Sequence, residues 1–213
     1  MTHTVGDAPS EFDVFQELVA RRRDVRRFRT DQIDERVLDE IFRLVELAPS
    51  VGNSQPWKWI KVEDHTLRKE IRANFEIANL QARSAISDDK KELYDSLKLA
   101  GLKEAPVQFA VFCDCSTTKG GGLGRQSMPE TLHYSVVCAI MTFWLAAKAK
   151  GIGVGWVSIL DPSPINAILD VPNEWDLVAY LCVGYPMEVH YDAELERLGW
   201  QERTWSRNEV LRR

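Results

Sequence analysis

The sequence predicts an α+β or three-layer α/β protein, and three observations carry this prediction. Four short apolar segments with the composition of buried strands alternate with segments of helical periodicity along the 213 residues. One helical segment, residues 131–150, is apolar almost all round and therefore belongs inside the molecule. No internal repeat or interdomain linker interrupts the chain, so we expect a single domain over residues 1–213.

The individual elements follow from local patterns. Helices are predicted over residues 11–23 and 34–47, where apolar residues recur every three to four positions. Asp64 is a candidate N-cap for a third helix, and Ser163 with Pro164 is a candidate start for the last one. The predicted strands cover residues 57–62, 107–113, 152–161 and 177–184.

Three segments lie outside this pattern. Residues 77–103 are polar and helical with weak apolar stripes, which is typical of a lid or of a surface hairpin without function; we call them the helical excursion. Residues 116–130 form a glycine-rich loop that lacks both common phosphate-binding motifs, and its length favours a mobile connection. The aromatic and basic tail from about residue 190 is expected to dock on a surface.

The apolar helix over residues 131–150 also bears on the oligomeric state. A helix that is apolar on every side must be buried on every side. In a chain of this size, that burial calls for a partner chain, so we expect a homodimer.

Composition and charge argue against several functions. A formal net charge of −5 is unfavourable for a general nucleic-acid binder. The C-x-C of Cys113 and Cys115 has no second pair at zinc-ligand spacing, so no metal is expected. Residues 1–10 lack the apolar segment of a secretory signal, and the apolar run 136–147 is too short to span a bilayer. We therefore expect a soluble, cytoplasmic protein.

The most distinctive stretch is the arginine cluster, residues 21–27, in which one carboxylate, Asp24, stands among five arginines. Guanidinium groups at this density need an anion, and their planar donors suit phosphate. The neighbouring positive charges favour the ionised form of Asp24. The alternative is a solvated basic helix end with Asp24 as its counter-ion.

Two further segments have the composition of a binding site. The polar loop, residues 48–57, lies between two prolines and is rich in small hydrogen-bonding side chains that suit a flat polar ligand. The alternative is an ordinary helix-to-strand turn. Gly153 and Gly155 open the third strand, and glycines in a strand indicate the close approach of a ligand or of another backbone.

These segments together resemble the nitroreductase superfamily, and in particular its flavin destructase branch. Most members of the superfamily have a small hydroxyl residue after the paired basic residues of the first segment, where this chain has Asp24, the pattern of that branch. The matching segments are Arg22-Arg23-Asp24-Val25-Arg26-Arg27-Phe28, Ala48-Pro49-Ser50-Val51-Gly52-Asn53-Ser54-Gln55-Pro56-Trp57, Leu97-Lys98-Leu99-Ala100-Gly101, Gly155-Trp156-Val157-Ser158-Ile159-Leu160 and Leu198-Gly199-Trp200-Gln201.

The resemblance implies a nitroreductase-like three-layer fold with a central mixed sheet flanked by helices, in an intertwined homodimer that binds FMN at the subunit interface. It implies that reduced FMN is the substrate and O2 the co-substrate, without a metal. The products would be 5,6-dimethylbenzimidazole, the lower ligand of cobalamin, and a four-carbon sugar phosphate. A separate flavin reductase is a possible source of the reduced FMN.

The resemblance also implies the residue roles. Arg22, Arg26 and Arg203 would hold the FMN phosphate and the pyrimidine edge, and the helical excursion would close over the flavin. Asp24 and Ser158 would be catalytic, Asp24 by moving a proton and Ser158 through its hydroxyl near the flavin N5 and C4a. The candidate cofactor-binding residues are Arg22, Arg23, Asp24, Val25, Arg26, Ser50, Asn53, Gln55, Leu99, Ser158 and Arg203.

Three other functions stay open at this point. An NAD(P)H-dependent nitroreductase or quinone reductase would keep its FMN through turnover. A non-catalytic FMN-binding protein would leave reduced flavin unchanged in air. A docking site for an acidic partner protein at the arginine cluster would bind no FMN at all.

Overall fold

The computed structural model describes residues 8–204, which form seven α-helices and four β-strands. The helices are α1 (Glu11–Arg21), α2 (Glu35–Val45), α3 (His65–Ser84), α4 (Asp88–Ser96), α5 (Thr131–Ala149), α6 (Pro162–Ile168) and α7 (Glu194–Arg197). The strands are β1 (Trp57–Lys61), β2 (Val107–Asp114), β3 (Gly153–Val157) and β4 (Trp175–Gly184).

The four strands form one sheet in the order β1-β2-β4-β3, and every neighbouring pair is antiparallel. The expected mixed sheet is therefore corrected to an antiparallel one. A parallel component exists as a single bridge between Asp24 and Val154, where the Val25 N–H donates to the Val154 carbonyl at 3.0 Å. The arginine cluster thus runs beside the edge strand β3 without forming a strand itself.

Both faces of the sheet are covered, as predicted for a three-layer fold. Alternate residues of β2 point to opposite faces because side chains in a strand have a period of two. Phe109 and Val111 pack in a core with α2 and α5, whereas Ala110 and Phe112 pack in a second core with α3 and α6. The α+β class and the layered arrangement are confirmed.

Helix α5 is the central helix of the fold. It packs against α2, β2 and β3, and residues such as Val136, Ile140 and Phe143 are fully buried. By length and composition alone α5 is long enough to cross a membrane, but half of it is buried inside the molecule, as in the core helix of a soluble protein. Its remaining apolar side chains form an exposed stripe: Tyr134, Val137, Cys138 and Met141.

Aspartate side chains cap the starts of α2, α3 and α6. Asp64 caps α3 as predicted, accepting hydrogen bonds from the Thr66 and Leu67 N–H groups. The predicted start of α6 at Ser163 was two residues late, since the cap is Asp161, which accepts from the Ser163 N–H at 3.1 Å. Pro162 occupies the first turn, and this earlier start ends the third strand at Val157 rather than at residue 161.

The helical excursion comprises the end of α3, all of α4 and the segment after it. Arg83 on α3 and Asp95 on α4 form a two-pronged ion pair at 2.5 and 2.6 Å, which holds the two helices together. The ring of Trp200, in the tail, lies 6.0 Å from that of Tyr94 on α4.

Candidate active site

The arginine cluster leaves α1 at Arg21 and continues as an extended, half-buried segment against β3. The two glycines of β3 make this approach possible. A Cβ added at Gly155 would lie 2.1 Å from the Val25 carbonyl oxygen, and one at Gly153 would lie 2.8 Å from a Val25 methyl carbon. The prediction that these glycines mark the close approach of a ligand or another backbone is confirmed at Gly155, whereas Gly153 meets a side chain.

Asp24 is fixed by two different donors. Its Oδ1 accepts a hydrogen bond from the Trp156 backbone N–H at 2.8 Å, and its Oδ2 accepts one from Arg26 Nε at 2.9 Å. Burial raises the pKa of Asp24 above its ordinary value, although both hydrogen bonds oppose the rise. The carboxylate is therefore oriented, and its proton affinity is higher than that of a free aspartate.

Other arginines of the cluster form ion pairs and hydrogen bonds within the chain. Arg27 pairs with Glu194 at 2.7 Å and with Glu188 at 3.2 Å. Arg23 donates to the carbonyl oxygens of Arg22 and Tyr191. Residues 22–27 thus form an internal network rather than a solvated helix end.

Arg22 lies at the wall of a groove of about 740 Å3 between α1 and α5. Its guanidinium carbon is 4.6 Å from the centre of the Trp144 ring, within cation–π range. The pKa of Arg22 is lowered, first by burial and then by repulsion from Arg23, with a smaller contribution from Arg203. Both of these arginines line the same groove, so an anion bound there would relieve the repulsion.

The polar loop has a strained backbone. Gly52, Asn53 and Gln55 have φ angles of 55°, 53° and 46°, in the left-handed region that residues other than glycine rarely adopt. Ser50 Oγ accepts from the Gln55 N–H at 3.0 Å, and Gln55 Nε2 donates to Asn53 Oδ1 at 2.9 Å. Strain of this kind is typical of functional loops, and here it presents two amide side chains to solvent.

Two contacts hold the polar loop in place. The Val51 N–H donates to Ser135 Oγ on α5 at 3.0 Å. On its other side, Gly52 and Gly120 meet backbone to backbone, since a Cβ at Gly120 would lie 2.4 Å from the Gly52 carbonyl oxygen. The glycine-rich loop therefore supports the polar loop.

The structure divides the candidate residues into two groups. Arg22, Arg23 and Arg203 line the groove beside α1 and α5, where Arg22 contacts Trp144, and Asp24, Val25 and Arg26 follow in the same extended segment. Leu99 follows the Lys98 carbonyl bonded by Arg26, and Ser158 is the exposed residue directly after β3. Ser50, Asn53 and Gln55 lie at the end of α5 that carries Ser135. Nine helical positions separate Ser135 from Trp144, a rise of about 13 Å.

The sequence pattern of the Nitroreductase family matches residues 19–185, which is most of the chain. The chain belongs to the nitroreductase family. It is 54% identical over 195 residues to the 5,6-dimethylbenzimidazole synthase of Rhodospirillum rubrum, covering 92% of each protein. It is 47% identical to the 5,6-dimethylbenzimidazole synthase of Rhodobacter capsulatus, covering 89% of this chain and 92% of that protein.

A solved structure has a similar fold. The crystal structure of oxidized iodotyrosine deiodinase bound to FMN and 3-iodo-L-tyrosine matches with a TM-score of 0.70 and 27% identity. The match covers 93% of this chain and 97% of that chain. The expected nitroreductase-like fold is thereby confirmed.

Three residues of this nitroreductase-family site were not singled out from the sequence. Trp144 and Trp156 have their ring centres 6.4 Å apart, and Glu194 pairs with Arg27. Trp144 was assigned to the core because it lies within an apolar helix. A general rule could have pointed to these residues, since a buried arginine needs an aromatic face or a carboxylate beside it.

Proposed function

We propose that the chain is a 5,6-dimethylbenzimidazole synthase, which converts reduced FMN and O2 into 5,6-dimethylbenzimidazole and a four-carbon sugar phosphate. The observation that carries the proposal is the likeness to the synthases of R. rubrum and R. capsulatus along about nine-tenths of the chain. The Asp24 carboxylate, oriented by Arg26 and the Trp156 N–H, supplies the acid–base group that such a reaction needs.

The groove beside α1 suits the phosphate of FMN. Arg22, Arg23 and Arg203 line it, and the repulsion of Arg22 by the other two arginines favours binding of an anion. Arg22 is kept in place by the Trp144 ring, so its planar donors are oriented before the ligand arrives. These residues fit the phosphorylated end of the flavin.

The polar loop suits the ring system of FMN. Asn53 and Gln55 present exposed amide groups, which can donate to and accept from the polar edge of a flat heterocycle. Ser50 holds the loop through the Gln55 N–H, and the left-handed backbone positions keep the amides at the surface. The loop would line the flavin rather than its phosphate.

A homodimer completes this site. The phosphate-binding residues and the polar loop lie about 13 Å apart along α5 within one chain. Between them lies the exposed stripe of α5, Tyr134, Val137, Cys138 and Met141. When two copies pack antiparallel through this stripe, the Arg22 end of one copy faces the polar loop of the other. Each dimer then has two composite FMN sites.

Asp24 and Ser158 perform the chemistry beside the flavin. When bound, reduced FMN supplies the electrons that activate O2 and the ring carbons of the product. Asp24 accepts and returns a proton, and its raised pKa makes it a better base than an ordinary aspartate. Ser158 follows Trp156 by two residues, so its exposed hydroxyl lies at the same end of β3, where it would donate a hydrogen bond to the bound flavin.

The helical excursion acts as the cover of the site. Arg26 Nη1 donates to the Lys98 carbonyl at 3.2 Å, which places Leu99 beside the arginine cluster. The ion pair of Arg83 and Asp95 keeps α3 and α4 moving as one unit. A cover of this kind excludes water from a reaction that must avoid losing its electrons to hydrogen peroxide.

The test is an aerobic single-turnover experiment. The purified chain is mixed with chemically reduced FMN without O2, air is admitted, and 5,6-dimethylbenzimidazole is identified by chromatography and mass spectrometry. Asp24→Asn is expected to lower the rate of product formation by at least about a hundredfold. Asp31→Asn, which changes an exposed ion-paired aspartate seven residues later, is the matched control and should leave the rate unchanged.

Two results would contradict the proposal. FMN that is bound and recovered intact after reduction and aeration would identify a flavin-binding protein. Continuous NAD(P)H oxidation with nitroaromatics or quinones, without loss of FMN, would identify an ordinary nitroreductase.

A further inference from the structure

A group of metal-ligating side chains lies where β2 ends and the glycine-rich loop begins. The thiol sulfurs of Cys113 and Cys115 and a ring nitrogen of His133 all lie within 4.8 Å of one another. The Asp176 carboxylate touches two of these groups, with Oδ2 at 3.2 Å from Cys115 Sγ and at 3.0 Å from His133 Nε2. None of these four residues belongs to the flavin site.

The fold brings the four side chains to one face of the sheet. Cys113 and Cys115 are two positions apart on an extended chain, so their thiols point to the same side. Asp176 on β4 is the register partner of Cys113, and paired residues of an antiparallel ladder share a face. His133 is in the first turn of α5, the helix that packs on that face.

Three of the distances between these groups approach those of a tetrahedral site. With the usual bond lengths of zinc to sulfur, nitrogen and oxygen, neighbouring ligand atoms are roughly 3.3–3.8 Å apart. The Cys115 Sγ to His133 Nε2 distance is 3.9 Å, and the two Asp176 distances are 3.2 and 3.0 Å. Each lies within about 0.4 Å of the corresponding tetrahedral edge. Cys113 Sγ lies within 4.8 Å of Cys115 Sγ and of a His133 ring nitrogen, so the side chains of Cys113 and Asp176 have to rotate inward to close the site around an ion.

We propose that Cys113, Cys115, His133 and Asp176 bind one zinc ion. Two thiolates with an imidazole form a donor set that selects zinc over the hard cations calcium and magnesium. Both thiols lose a proton on binding, so the ion exchanges two protons for two sulfur bonds. All four positions of the tetrahedron are filled by protein groups, which makes the ion structural rather than catalytic.

This site differs from the expectation that no metal binds. Sequence spacing shows the C-x-C pair without a partner pair, because the other two ligands are distant along the chain. His133 lies 18 residues after Cys115, across the glycine-rich loop, and Asp176 lies 61 residues after it, on another strand. Only the antiparallel pairing of β2 with β4 and the packing of α5 bring them together.

The ion would close the base of the glycine-rich loop. The loop leaves the sheet at Cys115 and enters α5 at Thr131, so ligands lie at both of its ends. Gly120 within this loop supports Gly52 of the polar loop. Zinc at the base would therefore stiffen the support of the polar loop without contacting the groove that holds Arg22.

The direct test is a cobalt titration, because tetrahedral cobalt bound to thiolate has characteristic visible and near-ultraviolet bands. The untagged full-length chain is treated with a chelator, transferred to a reductant that binds no metal, and titrated with Co2+. We expect one ion per chain, with tetrahedral bands that Zn2+ then displaces. The visible ligand-field bands lie at longer wavelength than flavin absorption, so bound FMN does not interfere when these bands are read.

The variants are chosen at positions where the fold tolerates a change. Cys115→Ser and His133→Asn alter half-exposed side chains, whereas Cys113 is fully buried. Each is expected to weaken Zn2+ binding by roughly a hundredfold while FMN binding is retained. His65→Asn changes an exposed histidine at the start of α3, outside the group, and should leave Co2+ and Zn2+ binding unchanged.

A second measurement is the thermal unfolding of the chelator-treated chain with and without Zn2+. The melting temperature of the wild-type chain should rise with Zn2+ concentration, and that of Cys115→Ser should not. The proposal is overturned if the wild-type chain shows no tetrahedral cobalt spectrum, or if Cys115→Ser and His133→Asn bind Co2+ as the wild type does. Either result leaves the proposed flavin reaction unaffected, because that is read from product formation.

Discussion

The carboxylate of Asp24 accepts a hydrogen bond of 2.8 Å from the backbone N–H of Trp156. The donor is a main-chain group of β3, so the position of the carboxylate is set by the sheet and not by a flexible side chain. Arg26 then fixes the second oxygen from within the arginine cluster. The proton-transfer role that we propose for Asp24 requires a fixed orientation of this kind.

The first prediction concerns the pH dependence of stability. Burial raises the pKa of Asp24 above its ordinary value of about 3.9, so the native state binds this proton more tightly than the unfolded state. The contribution of Asp24 to the free energy of unfolding is therefore full below the ordinary pKa and falls as pH rises through the folded pKa. In Asp24→Asn this decline is absent. As pH rises from the ordinary pKa through the folded pKa, the free energy of unfolding of the variant, measured by urea titration, should therefore increase relative to that of the wild type.

Asp31→Asn is the control, and its sign is opposite. The hydrogen bond from Arg29 lowers the pKa of Asp31, so its stabilising contribution is present above the unfolded pKa and is lost as pH falls through the folded pKa. If both variants change with pH in the same direction, the raised pKa of Asp24 is wrong.

The second prediction separates phosphate binding from ring binding. Arg22→Ala removes a guanidinium from the groove shared with Arg203 and should weaken FMN binding by about ten- to a hundredfold. Riboflavin, which lacks the phosphate, should bind wild type and variant equally. Fluorescence quenching of each flavin measures both affinities.

Arg21→Ala is the matched control for this measurement. Arg21 is exposed at the end of α1 and pairs with Glu17 at 2.8 Å. Its loss should leave FMN affinity unchanged, since a surface ion pair contributes little. An equal loss of riboflavin affinity in Arg22→Ala would show that Arg22 does not contact the phosphate.

Much of the fold was predictable because the signals were local. The carboxylate cap of α3, the apolar run of β2 and the apolar surface of α5 each depend on neighbouring residues, and the resemblance in the arginine cluster and the polar loop indicated the family. The predicted start of α6 was wrong because two similar pairs follow one another, Asp161 with Pro162 and Ser163 with Pro164. Both pairs have the form of a helix start.

The features that could not be predicted from the sequence depend on contacts between residues that lie far apart along the chain. The cation–π contact of Arg22 with Trp144 joins residues that share no sequence pattern, because it arises where α1 ends against α5. The antiparallel direction of all four strands is set by their connections and not by strand composition. The same reason hides the group formed by Cys113, Cys115 and His133.

The third prediction tests the close approach of the arginine cluster to β3. Gly155→Ala places a methyl group 2.1 Å from the Val25 carbonyl oxygen, and a backbone atom cannot move aside without breaking the Asp24–Val154 bridge. We expect a loss of about 3 kcal/mol or more in the free energy of unfolding, measured by urea denaturation.

Gly153→Ala provides the graded comparison for this test. Its added methyl would meet a Val25 side-chain carbon at 2.8 Å, and that side chain can shift. The cost should therefore be smaller, within about 1–3 kcal/mol. If Gly153→Ala destabilises the protein more than Gly155→Ala does, contact with the Val25 carbonyl is not the reason that position 155 requires glycine.

The fourth prediction concerns the homodimer. Val137 lies in the middle of the exposed stripe of α5, so Val137→Lys should place a charge at the subunit interface and produce monomers in light-scattering chromatography. FMN binding should be lost together with the dimer, because each site needs both chains. Leu44→Lys makes the same kind of change at an exposed position of α2 and should leave both properties intact.

The last prediction asks whether the two halves of the flavin site come from different chains. One variant carries Arg22→Ala, the other carries Asn53→Ala and Gln55→Ala, and neither alone should bind FMN tightly. In a mixed dimer, the intact Arg22 of one chain faces the intact polar loop of the other, so one site of the two is restored. Random exchange makes half of the dimers mixed, so about one quarter of all sites should regain wild-type affinity. Equilibrium dialysis of the unfolded and refolded mixture measures that fraction. If both halves came from the same chain, every site would carry one of the changes and no binding would return.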